Sequence, residues 1–545
     1  MKKMFWYAGL CFMVSLLVVP SVNAGWEDME VLKYYFEIDS TPRHQSRAEP
    51  DYNALDNEFI GFWSTQGMLR DDCEEGDDYD CTHNFKSVDG RRISGDGEIV
   101  GEIQLFAPDE VDLNGPDLAH NTFTNEYLTA TPIIKEPAPY ELYITIIDSV
   151  GNVKFGPEPI HKGGDTTVML PEVFFNDKRR EYLVLYNDRN IFNSYLNNVG
   201  FILDEDGTKK KGPFEVGNQV GDLFAQRVAY NSRDDTYLVV WEDFRNVAGD
   251  WTAPCDLYGA LLDAPTGEMI AEMEIIDDFG KADEGDQRVP VPVYNPDRNE
   301  FLVVYKDIRE ALDDAAIMGR FIKANGTHGG EPFVIVDPPR MQHWPDIKYV
   351  KEEKKYFMVW NDLRNDGLDP YTPFYISPDI DVYGSWLDPS GKPVGDEILI
   401  ADNVEWQFTP HMAYNPVMRR FLITWHDRNP VDDYYLEPSP LVPFAPAPSD
   451  VRGTLYGARS FLSGRVIEEG GTENPVENGL VLVMGPSLPA LEKTNVGGWF
   501  NAVENGQPDG QYLVVVFKFG YFPVIQVVDY AGNALQEMIE MRKLW

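Results

Sequence analysis

One recurring pattern constrains the fold of this chain more than any other feature. Its clearest copy runs from Tyr230 to Arg245: with Tyr230 as position 0, aromatic residues follow at +7 and +11, an Asp at +13 and an Arg at +14 or +15. Four more segments keep this spacing: Phe175/Tyr182/Tyr186/Asp188/Arg189, Tyr294/Phe301/Tyr305/Asp307/Arg309, Tyr349/Tyr356/Trp360/Asp362/Arg364 and Tyr414/Phe421/Trp425/Asp427/Arg428. A repeat of about 55 to 65 residues predicts an array of similar structural units.

Two weaker copies complete the array. Tyr52, Phe59 and Trp63 keep the aromatic positions but lack the Asp. The interval between positions 52 and 175 is about twice the usual spacing, so a degenerate copy is expected inside it. His120 at position 0 and Tyr127 at +7 supply that copy. The sequence therefore predicts seven units.

Each unit has the residue pattern of four β-strands. Apolar or alternating residues precede position 0, turn formers follow it, and the segment from +7 to +11 is β-branched or aromatic, which predicts an antiparallel hairpin with position 0 opposite +7. A second hairpin turns in a short segment that begins with Asp and ends with Gly, as in Asp204–Gly207, Asp263–Gly267 and Asp388–Gly391. Both faces of these sheets are apolar, so each sheet must lie between two others. The predicted fold is all-β, a seven-bladed β-propeller of four-stranded blades.

The last unit lacks an evident fourth strand. Its expected third strand covers residues 451–456, after which the pattern changes. Residues 30–38 form an apolar, β-prone segment that belongs to no unit. We therefore predict that this segment closes the ring as the outer strand of the last blade, so that the propeller covers residues 25–457.

The C-terminal part carries different motifs. Gly464-Arg-Val, Pro475-Val, the segment from Thr494 to Phe500 and Gly510-Gln-Tyr separate short apolar strands. This series resembles the carboxypeptidase regulatory-like domain, a transthyretin-like β-sandwich, over residues 461–545. The resemblance implies a small β-sandwich with a stabilising or adhesive role and no active site. The Tyr-Leu-Val-Val-Trp-x-Asp runs of the repeats resemble propellers of exported bacterial proteins, which implies architecture alone.

The N-terminus has the three regions of a secretory signal peptide. Lys2 and Lys3 precede an apolar run over residues 4–20, and cleavage is expected after Ala24. The predicted location is therefore periplasmic or extracellular. The formal net charge of −44 argues against nucleic acid and anionic membranes as partners.

A short acidic loop carries two of the cysteines. An oxidising compartment predicts a disulfide between Cys73 and Cys81, which leaves Cys255 unpaired. The same loop is a candidate for binding Ca²⁺ through Asp71, Asp72, Asp77 and Asp78. Because it lacks the alternating spacing of a known calcium loop, the competing interpretation is a solvated acidic loop.

The repeated Asp and Arg have a structural interpretation. A charge pair that recurs in five units is expected to hold loops or neighbouring blades, because partly buried charges are usually paired and hydrogen-bonded. The predicted structural ion pairs are Asp188/Arg189, Asp243/Arg245, Asp307/Arg309, Asp362/Arg364 and Asp427/Arg428.

Ligand binding is expected where the units differ from one another. Several of the loops between second and third strands are long and aromatic, and two Trp residues precede first strands. Exposed aromatic side chains on one rim favour stacking on sugar rings or packing on a protein partner. The candidates are Trp251, Trp344, Tyr371, Phe374, Tyr375, Trp406, Tyr434 and Tyr435. The competing interpretation is that they cover their own Pro-rich loops.

Two functions follow from these features. The first is an exported, non-catalytic binding or scaffold protein that presents a propeller loop face to a glycan or protein partner. The alternative is a polysaccharide-active lyase or hydrolase with its site on the loop face of blades six and seven. Its candidate catalytic residues are His343, His411, His426 and Asp427. The sequence contains no phosphate-binding Gly loop, Gly-x-Ser-x-Gly motif or His-Glu-x-x-His motif.

Overall fold

The structure, a computed structural model, consists almost entirely of β-strands. It describes residues 26–40, 44–66, 86–105, 111–113, 115–135, 140–162, 168–189, 195–217, 221–247, 254–276, 285–311, 314–365, 380–403, 406–428, 449–470, 474–485, 490–503, 510–530 and 535–544. One turn of 3-10 helix, Trp26–Asp28, precedes strand β1 (Glu30–Asp39). Over these ranges, no helix has the length and apolarity needed to cross a bilayer.

The strands after β1 form antiparallel sheets in chain order. Sheet 1 contains β2 (His44–Asn53), β3 (Glu58–Gln66), β4 (Lys86–Ser94) and β5 (Ile99–Leu105). Sheet 2 contains β6 (Val111–Leu113), β7 (Asp117–Asn121), β8 (Glu126–Lys135), β9 (Tyr140–Asp148) and β10 (Val153–Lys162), with β6 and β7 both paired to β8. Sheet 3 contains β11 (Val168–Asn176), β12 (Glu181–Arg189), β13 (Leu196–Asp204) and β14 (Lys209–Val216).

The next sheets repeat this arrangement. Sheet 4 contains β15 (Leu223–Asn231), β16 (Thr236–Asp243), β17 (Asp256–Asp263) and β18 (Met269–Ile276). Sheet 5 contains β19 (Asp286–Asn295), β20 (Glu300–Ala311), β21 (Asp314–Lys323) and β22 (Phe333–Val336). Sheet 6 contains β23 (Gln342–Val350), β24 (Lys355–Asp362), β25 (Asp381–Leu387) and β26 (Pro393–Ala401).

Sheet 7 joins the two ends of the ring. It contains β27 (Trp406–Asn415), β28 (Arg420–Arg428), β29 (Ser449–Gly457) and, as its outer strand, β1. β1 runs antiparallel to β29, with Glu30 opposite Gly457 and Asp39 opposite Val451. The first strands of successive sheets lie side by side from β2 through β7, β11, β15, β19 and β23 to β27, and β27 lies against β2. This closed circle of radial sheets is the arrangement of a β-propeller.

The predicted hairpin register is confirmed. Tyr230 lies opposite Tyr237 in sheet 4, and the degenerate copy in sheet 2 keeps the same register, with His120 opposite Tyr127. Side chains at +8 and +10, such as Leu238 and Val240, pack towards sheet 5, while those at +7, +9 and +11 pack towards sheet 3. Both faces of the sheet are therefore buried, as the sequence pattern predicts.

A β-bulge interrupts the first strand of each sheet from 3 to 7. The residue at −5 has a positive φ in each case: Leu170, Ala225, Val289, Trp344 and Thr409. The register of the hairpin shifts at the same point, just before position −3. Bulges change the direction of the side chains that follow them. Here the residue at −3 comes to line the centre of the ring.

The C-terminal part is a small β-sandwich. One sheet contains β30 (Ser460–Glu468), β33 (Trp499–Val503) and β36 (Leu535–Met541). The other contains β31 (Leu480–Met484), β32 (Ala490–Lys493), β34 (Gly510–Phe517) and β35 (Val524–Tyr530). Apolar side chains from both sheets, among them Val466, Phe500 and Val514, form the core between them.

The first sandwich sheet rests on the hairpin turns of sheets 1 and 7. Trp499 Nε1 donates to the Leu55 carbonyl at 2.9 Å, and Asn495 Nδ2 donates to the Ala54 carbonyl at 2.8 Å. Asn501 Nδ2 donates to the Met418 carbonyl at 3.4 Å. These contacts place the sandwich over the junction between the first and last sheets of the ring.

Candidate functional site

A cavity of about 440 Å³ lies at the centre of the ring. Its lining includes residues from the first strands of all seven sheets, from the bulge residues Val289 and Trp344 to the turn residues Thr122 and Asp177. Cavities of this size are typical of small-molecule sites. The centre of the ring is therefore the candidate site.

Position −3 of the repeat supplies the most polar part of the lining. The seven residues at this position are Glu49, Asp117, Glu172, Arg227, Val291, Asp346 and His411. Six of the seven are titratable, whereas the positions at +8 and +10 are apolar in every unit except for Thr424 at +10 of sheet 7. The backbone position at −3 is therefore the same in each sheet, while the type of side chain that it presents to the centre differs.

An ionic network crosses the cavity at this level. Arg227 Nη1 lies 2.8 Å from Glu172 Oε2 in the adjacent sheet and 3.5 Å from Glu49 Oε1 in sheet 1. His411 Nε2 lies 3.8 Å from the same Glu49 oxygen. Burial opposes the charge on Arg227, but Glu172 and Glu49 outweigh it and raise the pKa of the guanidinium.

Some of the carboxylates also hold the ring together. Asp117 Oδ2 accepts a hydrogen bond from the Val173 amide at 2.5 Å, and Asp346 Oδ2 accepts one from the Met412 amide at 2.9 Å. In both cases the donor is the residue at −2 of the next sheet. These two groups therefore combine a structural contact with exposure to the cavity.

Asp117 has the most perturbed carboxyl group of the lining. Burial, followed by the nearby charges of Glu49 and Glu172, raises its pKa well above the ordinary value. Burial also raises the pKa of Asp51, although His120 opposes that effect. Carboxyl groups with raised pKa values in a cavity mark candidate functional residues.

Trp344 provides an aromatic surface at the cavity. It occupies the bulge position of sheet 6 with φ 43°, and its ring stacks on His343 at a centroid distance of 3.8 Å. Phe408 packs against it edge to face at 5.7 Å. The indole is thus held from two sides, and this predicted ligand-binding residue does line the cavity.

His120 adds a buried ring nitrogen to the lining. Its Nε2 lies 3.1 Å from Asn125 Oδ1, while Nδ1 has no hydrogen-bond partner among the described residues. Burial lowers the pKa of this imidazole. Within the described part of the chain, no group of three or more His, Cys, Asp or Glu side chains is arranged to hold a metal ion.

The four residues of the catalytic hypothesis have different environments. Only His411 lines the cavity. His343 is half-buried, and desolvation followed by the charges of Lys306 and Arg288 lowers its pKa well below the ordinary value. His426 Nδ1 lies 3.0 Å from Thr409 Oγ1. Asp427 accepts a hydrogen bond from Trp425 Nε1 at 3.1 Å and is held by Tyr35 and Arg452.

The repeated Asp is held in the same way in sheets 4 and 6. Asp243 accepts from Trp241 Nε1 at 2.9 Å and from two nitrogens of Arg245 at 2.7 and 2.6 Å. Asp362 accepts from Trp360 Nε1 at 2.8 Å and from Arg364 at 2.9 and 2.6 Å. The +11, +13 and +15 side chains form one hydrogen-bonded unit, with no role at the cavity.

The expected pair Asp188/Arg189 needs correction. Arg189 Nη2 lies 3.4 Å from Asp222 Oδ2, and Asp188 Oδ2 lies 2.6 Å from His161 Nε2. Side chains alternate along a strand, so an Arg at +14 points to the opposite face from an Asp at +13. Asp307 accepts a hydrogen bond from Gln287 Nε2 at 2.9 Å. The side chains of Arg309 and Arg428 lie outside the described residues, so those two pairs remain predictions.

Other predicted residues also lie outside the described part of the chain. They are the predicted disulfide Cys73/Cys81, the acidic residues Asp71, Asp72, Asp77 and Asp78, the aromatics Trp251, Tyr371, Phe374, Tyr375, Tyr434 and Tyr435, and the side chain of Trp406. Cys255 is described and buried. Its Sγ donates to the Gln287 carbonyl at 3.0 Å, and burial raises the pKa of the thiol well above its usual range.

Solved structures share parts of this architecture. A protein of unknown function from Dyadobacter fermentans is 10% identical with a TM-score of 0.45, covering 79% of this chain and 100% of its own. The Dos1 propeller is 8% identical with a TM-score of 0.41, covering 79% and 95%. The phage phi92 endosialidase is 10% identical with a TM-score of 0.42, covering 92% and 88%. At these values the likenesses carry no argument about function. No family model matches the chain, and no curated protein matches it.

Most of the cavity-lining residues carry no direct sequence signal. Of its charged residues, only His411 was a candidate, because the types at −3 differ from unit to unit. The signal that was available is positional: six titratable residues occur at one fixed offset from the repeat anchor.

Proposed function

We propose that this protein is an exported, non-catalytic binding protein and that it binds a glycan in the central cavity. The observation that carries the proposal is the position of Trp344, a fixed aromatic residue that lines a cavity together with carboxylates, Arg227, Lys348, His411 and a number of apolar side chains. Sugar recognition combines an aromatic surface with convergent hydrogen-bonding groups. A protein partner at the propeller loop face is the second binding hypothesis.

The charges of the lining fit a polyhydroxylated ligand. Glu49 and Glu172 accept hydrogen bonds from hydroxyl groups, and Arg227, which joins them, donates. Hydrogen bonds to ionised groups contribute more than those between neutral groups. A site of this kind rejects apolar molecules, because they would leave its charges desolvated and unpaired.

The test is glycan binding by the full chain and by a Trp344→Ala variant. We expect the wild type to bind a subset of a glycan array of neutral, acidic and amino sugars, and the variant to lose at least tenfold in affinity, about 1.4 kcal/mol. The control is Phe123→Ala, which removes an aromatic that is 51% exposed and does not line the cavity. Absence of any glycan ligand, or equal binding by Trp344→Ala, would contradict the proposal.

The alternative is a polysaccharide lyase or hydrolase, and one observation relates to it. Asp117 has a raised pKa while Glu49 is paired with Arg227, and two carboxyl groups in unlike environments can act as acid and base. The enzyme hypothesis predicts release of reducing ends from a bound glycan, and Asp117→Asn would abolish that release. Binding without any release supports the non-catalytic function.

The domain organisation remains part of the proposal. We propose a signal peptide over residues 1–24, a seven-bladed propeller over residues 25–457 closed by a strand near residues 30–38, and a carboxypeptidase regulatory-like sandwich over residues 461–545. The pairing of β1 with β29 and the two-sheet core of the C-terminal part support this division. Detection of the processed chain in the periplasm or medium tests the export.

A further inference from the structure

Asp188, the repeated +13 residue of sheet 3, is a buried carboxylate that lacks hydrogen-bond donors. Its side chain is 1% exposed, and neither oxygen receives a hydrogen bond from a described residue. His161 Nε2 lies 2.6 Å from Oδ2, but this contact lacks hydrogen-bond geometry. Leaving an ionised group buried in this state is costly, so a partner is missing.

The other sheets show what kind of partner belongs there. In sheets 4 and 6 the equivalent Asp is neutralised by a bidentate guanidinium and an indole N–H. Sheet 3 has Tyr186 in place of the Trp, and its Arg189 pairs with Asp222. Position 188 thus keeps the carboxylate of the repeat but has lost the cation that accompanies it.

Two further oxygen-bearing side chains lie on the same sheet face as Asp188. Asn197 lies directly opposite Asp188 in the β12–β13 ladder, so both side chains lie on the same sheet face. It is fully buried, its Nδ2 donates to the Tyr195 carbonyl at 3.0 Å, and its Oδ1 has no partner in the described residues. The Tyr186 hydroxyl is also buried without a described partner.

We propose that Asp188, His161 Nε2 and Asn197 Oδ1 bind a divalent cation of the first transition row, such as Mn²⁺ or Zn²⁺. A carboxylate, an amide oxygen and an imidazole nitrogen form a mixed oxygen and nitrogen donor set, which suits these ions better than Ca²⁺. The third protein ligand is the amide oxygen of Asn197, and water molecules occupy the remaining coordination positions. The cation takes the place that the arginine occupies in sheets 4 and 6.

The competing explanation is that a protonated His161 alone neutralises Asp188. That explanation needs no metal and predicts no saturable binding. If no metal binds at Asp188, a new N–H donor beside this residue cannot alter metal binding. The two explanations therefore differ in a direct binding measurement.

The experiment is titration of the full chain, stripped of metal with EDTA, with Mn²⁺ followed by electron paramagnetic resonance and with Zn²⁺ followed by calorimetry. We expect one saturable site in the wild type, loss of that site in Asp188→Asn, and about 10- to 100-fold weaker binding in Asn197→Ala. Tyr186→Trp, which supplies the indole donor present in sheets 4 and 6, is expected to weaken binding by at least tenfold.

Asp362→Asn is the matched control. Asp362 is already paired with Arg364, so this substitution should leave the metal affinity unchanged. Thermal melts of every variant identify loss of folding, and Tyr186→Trp remains informative if Asp188→Asn does not fold. Absence of a saturable site in the wild type, unchanged binding in Asp188→Asn or Tyr186→Trp, or tighter binding of Ca²⁺ than of Mn²⁺ and Zn²⁺ would overturn the assignment. None of these outcomes depends on glycan binding at the central cavity.

Discussion

Arg227 of sheet 4 and Glu49 of sheet 1 approach to 3.5 Å across the centre of the ring. Because Arg227 also binds Glu172 of the adjacent sheet 3, one guanidinium connects sheet 1 with sheets 3 and 4. The centre of this propeller is therefore bridged by charge, and the cavity has an ionic element as well as an aromatic one. The same contact affects stability and ligand binding.

Removing this guanidinium should destabilise the ring. Arg227→Met removes the guanidinium that binds Glu49 and Glu172, and breaking such a largely buried ion pair on one side costs about 3 kcal/mol. Urea unfolding of the full chain measures this loss. The control is Arg180→Met, whose ion pair with Glu205 is exposed and is expected to contribute less than about 1 kcal/mol. Equal effects of the two substitutions would show that the central network does not stabilise the fold.

Asp117 should make stability depend on pH. The pKa of Asp117 in the folded state is raised, mainly by burial. Its contribution to the free energy of unfolding is therefore fully present at pH values below its unfolded-state pKa and is lost as the pH rises through its folded-state pKa. Asp117→Asn has no proton to lose. We expect the variant to be more stable than the wild type at pH 7, with a difference that disappears towards pH 4. Unfolding curves across this range test the sign, and a constant difference at all pH values would contradict it.

β1 should contribute strongly to the stability of the ring. Ile38 is 2% exposed and belongs to a buried cluster that includes Trp63 and Leu455. Ile38→Ala is expected to cost about 2 to 5 kcal/mol, and deletion of residues 25–40 should lower the melting temperature sharply. Val153→Ala, in the outer strand of sheet 2, is the control, because Val153 is 52% exposed. An unchanged melting temperature after the deletion would refute the role of β1.

Glu492 should couple the sandwich to pH. Burial raises its pKa to about 7, although Arg419 of the sheet 7 turn opposes the shift. The stability that protonated Glu492 contributes is fully present below the ordinary pKa of Glu and is lost as the pH rises through about 7. At pH 8, Glu492→Gln should therefore be more stable than the wild type by about 2 to 3 kcal/mol. At pH 4 the two should be equal. Glu158→Gln, at an exposed position, is the control for loss of one charge.

The sheets could be predicted because their determinants are local and repeated. Position 0, the turn and +7 lie within eight consecutive residues, and the alternation of side chains assigns the next five to two faces. Even the degenerate copy around His120 and Tyr127 follows this frame. Periodicity was enough here because the interaction partners are fixed by the spacing.

The cavity could not be predicted in the same way. Its residues lie at one offset in seven units, but they differ in type, and in sheets 3 to 7 a bulge precedes the residue that lines the centre of the ring. A similar limit applies to Asp188, whose neighbour His161 belongs to sheet 2. Contacts between units form only when the ring is closed, so they cannot be deduced from the spacing within one repeat.

The junction between β1 and β29 also determines how the ring responds to mechanical force. Glu30 lies opposite Gly457, and the chain leaves the ring for the sandwich immediately after that residue. A stretching force applied between these two points acts at one end of an antiparallel pair, so its hydrogen bonds would break one after another instead of sharing the load. The ring should therefore open between β1 and β29 under a low stretching force, even though the packing of β1 stabilises the fold against thermal unfolding.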